Sequence, residues 1–415
     1  MMDLRKFVRS SEEEGVALLE DLVRMPSVRG KEGQVAMYLL ERFSEVGEAE
    51  LVPVPESIVD DPEYSFPLEG IRYEDRPNLR VRVPGSGGGR SLIVNTHMDV
   101  VPPSHGQEDP FLPKLREGAV WGRGACDAKG QIVAIYLALK ALKKAGFRPA
   151  GDVTVHLVVE EECGGNGTLA FVREGEGADG VLVMEPTGLS AFPSVRGAVW
   201  FEVKVLGRSG HSAQAGKVVS ALKEAIRAVE LLEEYHSRLL EESRDVPLFE
   251  SYSDPMPITF GTFHAGEWPA TVPREAILRG VLGFLPNRTR EQVEAEMREV
   301  LSSGGGWLGE HYELRFLYRH NSSVTPPDHP LVGTLVEACR SSGWEPEVKG
   351  MPASCDAWFY RELLGVPTVV FGPGELGYAH SSEEHIKVED LIRGAEALAR
   401  FIVDWCGGQE FPLGA

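Results

Sequence analysis

The chain's 415 residues exceed one ordinary hydrophobic core, and 42% hydrophobic with 25% charged residues is the make-up of a globular protein of about two domains. Against 42 basic residues stand 63 acidic ones, and the net charge of -21 disfavours nucleic acid and anionic membranes as partners. No apolar run approaches the ~20 residues of a bilayer span, and MMDLRKFVRSSEEEG carries no secretory signal, so a cytoplasmic location is expected.

Apolar residues at helical spacing predict helices over 12–25 and 32–46, followed by strands over 78–85 and 91–100. GSGGGR (85–90) between those strands has neither the GxGxxG order nor the Lys-Ser/Thr of a phosphate loop, and reads as a hairpin turn. A strong helix over 129–146 stops at Gly146, and short buried strands follow at 153–160 and 180–186. Strands alternating with helices predict an α/β layer structure, with a central, mostly parallel sheet and flanking helices. Ligands of such sheets gather at the carboxyl ends of the strands.

Past Arg196 the pattern changes. A strand at 198–207, a helix at 218–236, strands at 257–266 and 276–285, a helix at 289–303 and a strand at 312–320 give the β-α-β-β-α-β order of ferredoxin-like units. The first style resumes with a helix at 329–343, a strand at 366–374 and a helix at 388–406. The expected organisation is a larger α/β domain formed by 1–196 and 319–415, split by a small inserted α+β domain at 197–318.

Chemistry concentrates at the strand ends. In VTVHLVVEEECGGNGT (153–168) an apolar strand runs into Glu160, Glu161 and Glu162. Three carboxylates at a buried strand end cannot all ionise without cations: either some stay protonated or a metal neutralises them. In NTHMDVVPP, His97 and Asp99 share one face of an extended strand, as a metal ligand and its orienting carboxylate would. Asp127 lies in the glycine-rich turn of WGRGACDAKG, where helix capping is the alternative role. Glu185 ends the next strand in VLVMEPTG, and His380 sits in a turn after VVFGPGELGYA. Such histidines and carboxylates form an O/N donor set suited to zinc. The five cysteines (Cys126, Cys163, Cys339, Cys355 and Cys406) contain no CxxC pair and read as reduced thiols.

With THMDVVPP, GRGACDAKG, VEEECGG, MEPTG, GRSGHSAQ and AHSSEEH in this order, the sequence resembles a family of di-zinc metallohydrolases. That family includes acetylornithine deacetylase, succinyl-diaminopimelate desuccinylase, aminoacylases and related carboxypeptidases, and the resemblance covers nearly the whole chain. It implies two divalent metal ions, zinc first with cobalt or manganese as alternatives. His97 and Glu185 would hold one, Glu162 and His380 the other, and Asp127 would bridge them. Glu161 would be the general base, with Asp99 orienting His97 and Glu160 left without a ligand role. Residues 1–196 and 319–415 would form the catalytic domain, the inserted domain would act as lid and dimerisation unit, and His211 of GRSGHSAQ would stabilise the oxyanion, often across a homodimer interface.

The resemblance thins at the substrate. Ala270 stands where the family has Asn, Gly283 where it has Arg, and Trp358 replaces Arg beside a retained Asp356. Arg is the usual bidentate partner of a carboxylate, so Arg196, Arg274, Arg279 or Arg288 would have to replace it. Trp358 would otherwise stack on a flat substrate or simply pack. His264 and Glu267 read as loop residues near the cleft. The expected activity is removal of an acyl group from a small N-acylated molecule. The alternatives are a dipeptidase or carboxypeptidase, a formylaminopyrimidine deformylase, and a non-catalytic metal-binding relative. The last has no need of Glu161, and a nucleotide-binding fold lacks its glycine fingerprint.

Overall fold

The computed structural model describes residues 3–410 except 29, 66–69, 71, 212, 214 and 215, and the side chain of residue 410 lies outside the description. At the centre of a nine-stranded sheet, Leu92–His97 pairs in parallel with Val153–Val158 on one side and Gly180–Val183 on the other. Thr368–Val370 continues in parallel beyond Gly180–Val183. Every residue of these four strands is buried, which is why they read as unbroken apolar runs and not as alternating patterns. Toward the edges antiparallel pairing enters, with Asn78–Val83 and Glu48–Val52 on one side and Ala191–Val195 and Ser323–Val324 on the other, while Val348–Met351 pairs in parallel with Ala191–Val195.

The helices Lys129–Lys144 and Val388–Cys406 pack against each other beside this sheet. Lys129–Lys144 is apolar nearly all round and buried through Leu139, as a helix enclosed on all sides must be. Each of its buried Ile, Val and Leu side chains contributes roughly 1.5–3 kcal/mol, so a carboxylate at Ile135 would disrupt the layer. The expected hairpin at 85–90 is not one. Its flanking strands, Asn78–Val83 and Leu92–His97, do not pair with each other but lie on opposite sides of Val153–Val158. A strand distant in sequence has come between two neighbours, which local turn chemistry does not report.

A second sheet takes the order Ile258–Ala265, Glu275–Phe284, Gly197–Leu206, Tyr312–His320, antiparallel throughout. The helices Ala221–Glu242 and Arg290–Ser303 pack on it around a separate core containing Val199, Phe201, Leu232, Leu282 and Met297. Thr289 opens the shorter helix with a capping box to Gln292. The longer helix runs past the expected end at residue 236 to Glu242. Among the described residues no helix is long and apolar enough to cross a membrane.

Candidate metal centre

Parallel strands bring their carboxyl ends to one edge, and the acidic stretches meet there. His97 ends its strand in register with Val158, and Glu160, Glu161 and Glu162 follow within four residues of it. Glu185 leaves the strand on the other side of His97, and the loop after Thr368–Val370 carries His380. Asp127 arrives from the turn before Lys129–Lys144.

Asp127 stands between the two histidines. His97 Nε2 lies 3.0 Å from its Oδ1, and His380 Nε2 lies 3.4 Å from its Oδ2. Glu162 is 2.9 Å from His380 Nε2, while Glu185 Oε2 is 3.9 Å from His97 Nε2. Donor atoms of His97, Glu161 and Glu185, and likewise of His97, Asp127 and Glu162, all lie within 4.8 Å of one another. His97 is fully buried, whereas about half of the His380 side chain is exposed.

The electrostatics suit a cation. Burial raises the pKa of Glu161, Glu162 and Glu185 above the ordinary carboxylate range, and neighbouring carboxylates add to the effect. Burial works against a charge on the imidazoles, yet Asp127 and Asp99 outweigh it at His97 and raise its pKa. At His380 the Glu162 carboxylate carries the value up to about 11. Burial also opposes ionisation of Asp127, but the two imidazoles outweigh it and lower its pKa. Oε1 of Glu185 is buried with no hydrogen-bond partner among the described residues. Imidazole nitrogens facing a shared carboxylate, with an orphaned carboxylate oxygen beside them, form a donor set that a hard or borderline divalent ion could occupy. The residues fit such a group.

Asp99 does more than its spacing suggested. Its backbone oxygen lies 2.9 Å from His97 Nδ1, closer than its carboxylate at 3.5 Å. That carboxylate instead accepts the backbone N–H groups of Glu161 and Glu162, each at 3.1 Å, and so sets the glutamate turn. Glu160 adopts a left-handed backbone (φ 64°) and points the other way. Its carboxylate accepts hydrogen bonds from Tyr73 (2.7 Å), Arg76 (2.8 Å) and Asn166 (3.0 Å). The three adjacent glutamates are thus divided: one is neutralised by an arginine, and two face the histidine–aspartate cluster. Nothing in YEDRPNL singled out Arg76.

His211 is exposed in a two-residue ribbon paired with Thr271–Val272, and none of its hydrogen bonds reaches the cluster. Ser212 and Gln214 of its motif, and Ala215 after it, lie outside the described residues. His264 lies within the strand Ile258–Ala265, paired with Ile277, and not in a loop as expected; with Glu267, Trp268 and Arg274 it lines a depression of about 530 Å³ at the second sheet. Trp358 is 2% exposed and packs against His320 and Phe359, with ring centroids 5.0 and 4.2 Å away, so it offers no stacking face. Asp356 is fully buried and accepts the Thr168 hydroxyl at 2.5 Å.

Of the four arginines, Arg288 is paired with Glu242 and Glu296, and Arg279 with Glu202. Arg196 has no carboxylate partner among the described residues. It donates to the Pro352 and Gly197 carbonyls (2.7 and 3.3 Å), and burial lowers its pKa to about 10. A Cβ at Gly283 would stand 2.4 Å from Arg196 Nη1, so this guanidinium occupies the room that the missing side chain leaves.

The fold and its donor cluster together define a metallohydrolase acting on amide bonds. Residues 93–404 match Peptidase family M20/M25/M40, and the chain belongs to that family. It is 30% identical over 343 residues to an acetylornithine deacetylase of Myxococcus xanthus, covering 81% of this chain and 86% of that one. It is 28% identical over 364 residues to the N-formyl-4-amino-5-aminomethyl-2-methylpyrimidine deformylase of Bacillus subtilis (strain 168), covering 80% and 84%. A solved dipeptidase, Dug1p of Saccharomyces cerevisiae, shares the fold at a TM-score of 0.79 and 14% identity, over 99% of this chain and 98% of that one.

Proposed function

We infer that the chain hydrolyses the acyl amide of a small N-acylated molecule with two divalent ions, zinc first among them. The observation that carries this reading is Asp127 set between His97 and His380, with Glu161 beside them free of any side-chain hydrogen bond among the described residues. His97 and Glu185 would hold one ion, Glu162 and His380 the other, and Asp127 both. When bound, such ions polarise the amide carbonyl and acidify water.

The chain's own residues supply the rest. Glu161 takes a proton from the attacking water as oxygen bonds to the carbonyl carbon, and passes it to the leaving nitrogen as the C–N bond breaks. Asp99 holds the Glu161–Glu162 turn in place through its two N–H groups. His211 would donate to the oxyanion from a second copy of the chain when the lid closes. The edge strand Ile258–Ala265 and the exposed Phe263 and Trp268 support a homodimer built on residues 197–318, the proposed inserted lid domain.

Arg196 favours a substrate with a carboxylate, such as an N-acyl amino acid. An unpaired, largely buried guanidinium binds a carboxylate through two hydrogen bonds. The interior position of Trp358 removes the argument for a flat heteroaromatic substrate. The test is hydrolysis of N-acetyl and N-succinyl amino acids, dipeptides and a formylaminopyrimidine, with metal analysis alongside. About two ions per chain and chelator-sensitive deacylation support the reading; preferential deformylation of the pyrimidine would overturn the substrate class.

A further inference from the structure

Two ligand-bearing loops are tied together by a chain of side chains, buried at Glu384 and Arg123 and partly exposed at Ser104, with no part in the proposed chemistry. Glu384 is fully buried, and its Oε1 accepts three backbone N–H groups of the turn before Lys129–Lys144: Gly124 (2.9 Å), Cys126 (3.1 Å) and Asp127 (3.1 Å). Its Oε2 accepts from Arg123, whose side chain is 1% exposed. Arg123 Nη2 donates to Ser104 Oγ at 2.7 Å, and Ser104 Oγ donates to the His380 carbonyl at 2.7 Å. The strand His385–Lys387, paired with Ala119–Trp121, fixes the backbone on which this chain closes.

We propose that Glu384, Arg123 and Ser104 are positioning residues that set the distance between Asp127 and His380, and so the affinity of the ion shared by Glu162 and His380. The inference rests on the two-ion reading above. Both ends of the chain are metal-facing loops: Glu384 holds the peptide N–H of Asp127 itself, and Ser104 holds the carbonyl of His380. His380 needs such a hold. It sits at φ 58°, a left-handed conformation costly for a side-chain-bearing residue, on a half-exposed loop. A buried ion pair costs several kcal/mol of desolvation and is a poor way to add stability alone, whereas it fixes geometry well. His97 has no such dependence, since it ends a central strand and is fully buried. The two ions would therefore differ in how far they rely on the chain.

The test is stepwise titration of the metal-free protein with zinc or cobalt against a chelator of known affinity, read as two dissociation constants. The step abolished in His380→Ala identifies the ion in question. Ser104→Ala, a mild change at a partly exposed residue, is expected to weaken that step about 10-fold and leave the other at its wild-type value. Glu384→Gln, which also loosens Asp127, is expected to weaken both, the His380 step by about 100-fold and the more strongly. Arg123→Lys should restore most of what Arg123→Met loses. Wild-type constants in both Ser104→Ala and Glu384→Gln, or equal weakening of both steps in Ser104→Ala, would overturn the proposal. A wild-type chain binding fewer than two ions would instead overturn the reading beneath it.

Discussion

His320 ends the last strand of the second sheet and reaches into the glutamate turn, where its Nε2–H donates to the Gly164 carbonyl at 3.0 Å. Its other nitrogen, Nδ1, is buried with no partner among the described residues, so a proton there would meet neither water nor an acceptor. Burial accordingly lowers its pKa from 6.5 to about 3. The sign follows: a depressed pKa gives stability that is present above 6.5 and lost as pH falls toward 3, because the unfolded chain takes up the proton first. At pH 5 the unfolded histidine is about 97% protonated and the folded one almost neutral, which costs about 2 kcal/mol relative to pH 8. That figure depends almost entirely on the unfolded pKa, since a folded value of about 4 changes it by less than about 0.1 kcal/mol. His320→Gln keeps an amide N–H for Gly164 and cannot titrate. Urea midpoints of wild type and variant at pH 8 and pH 5 isolate the effect, because every other titrating group is common to both. The variant should lose about 2 kcal/mol less between the two pH values; an equal loss in both proteins would refute the assignment of the buried neutral imidazole.

Glu161→Gln, which preserves the N–H held by Asp99, should reduce kcat by about 10²–10⁴-fold while metal content by elemental analysis stays at the wild-type level. Asp127→Ala should lose both ions in equilibrium dialysis, since one carboxylate faces both imidazoles. Arg196→Met should raise KM for N-acyl amino acids by about 10–100-fold and leave uncharged formamides unaffected in the same assay, in line with the ~1.5–3 kcal/mol of a hydrogen bond to a charged group. Arg76→Met strands the buried Glu32 and Glu160 carboxylates together and should cost about 3–5 kcal/mol in chemical denaturation; a loss below about 1 kcal/mol would show that the pair is not held as described.

The amino-acid sequence determined the layered α/β plan, because strands buried on both faces and helices with an apolar stripe carry their environment in their own composition. It also drew attention to His97, Glu185 and the Glu160–Glu162 run, since charged residues closing apolar strands are out of place unless something faces them, whereas Asp127 and His380, and the choice of Glu161 and Glu162 over Glu160, came from the family resemblance. The motif order carried the family.

Other features depend on what lies across space, and only the tertiary structure decided them. The strand Val153–Val158 separates two sequence neighbours and turns an expected hairpin into a crossover. Glu160 is answered by Arg76, 84 residues away, and Glu384 by Arg123, 261 away. Trp358 goes inside, and Arg196 moves into the gap at Gly283, because volume left empty in a close-packed interior is filled by whichever side chain can reach it. Periodicity and strand-end chemistry are written along the chain. Which charge neutralises which, and what fills a vacated space, is settled when distant segments pack.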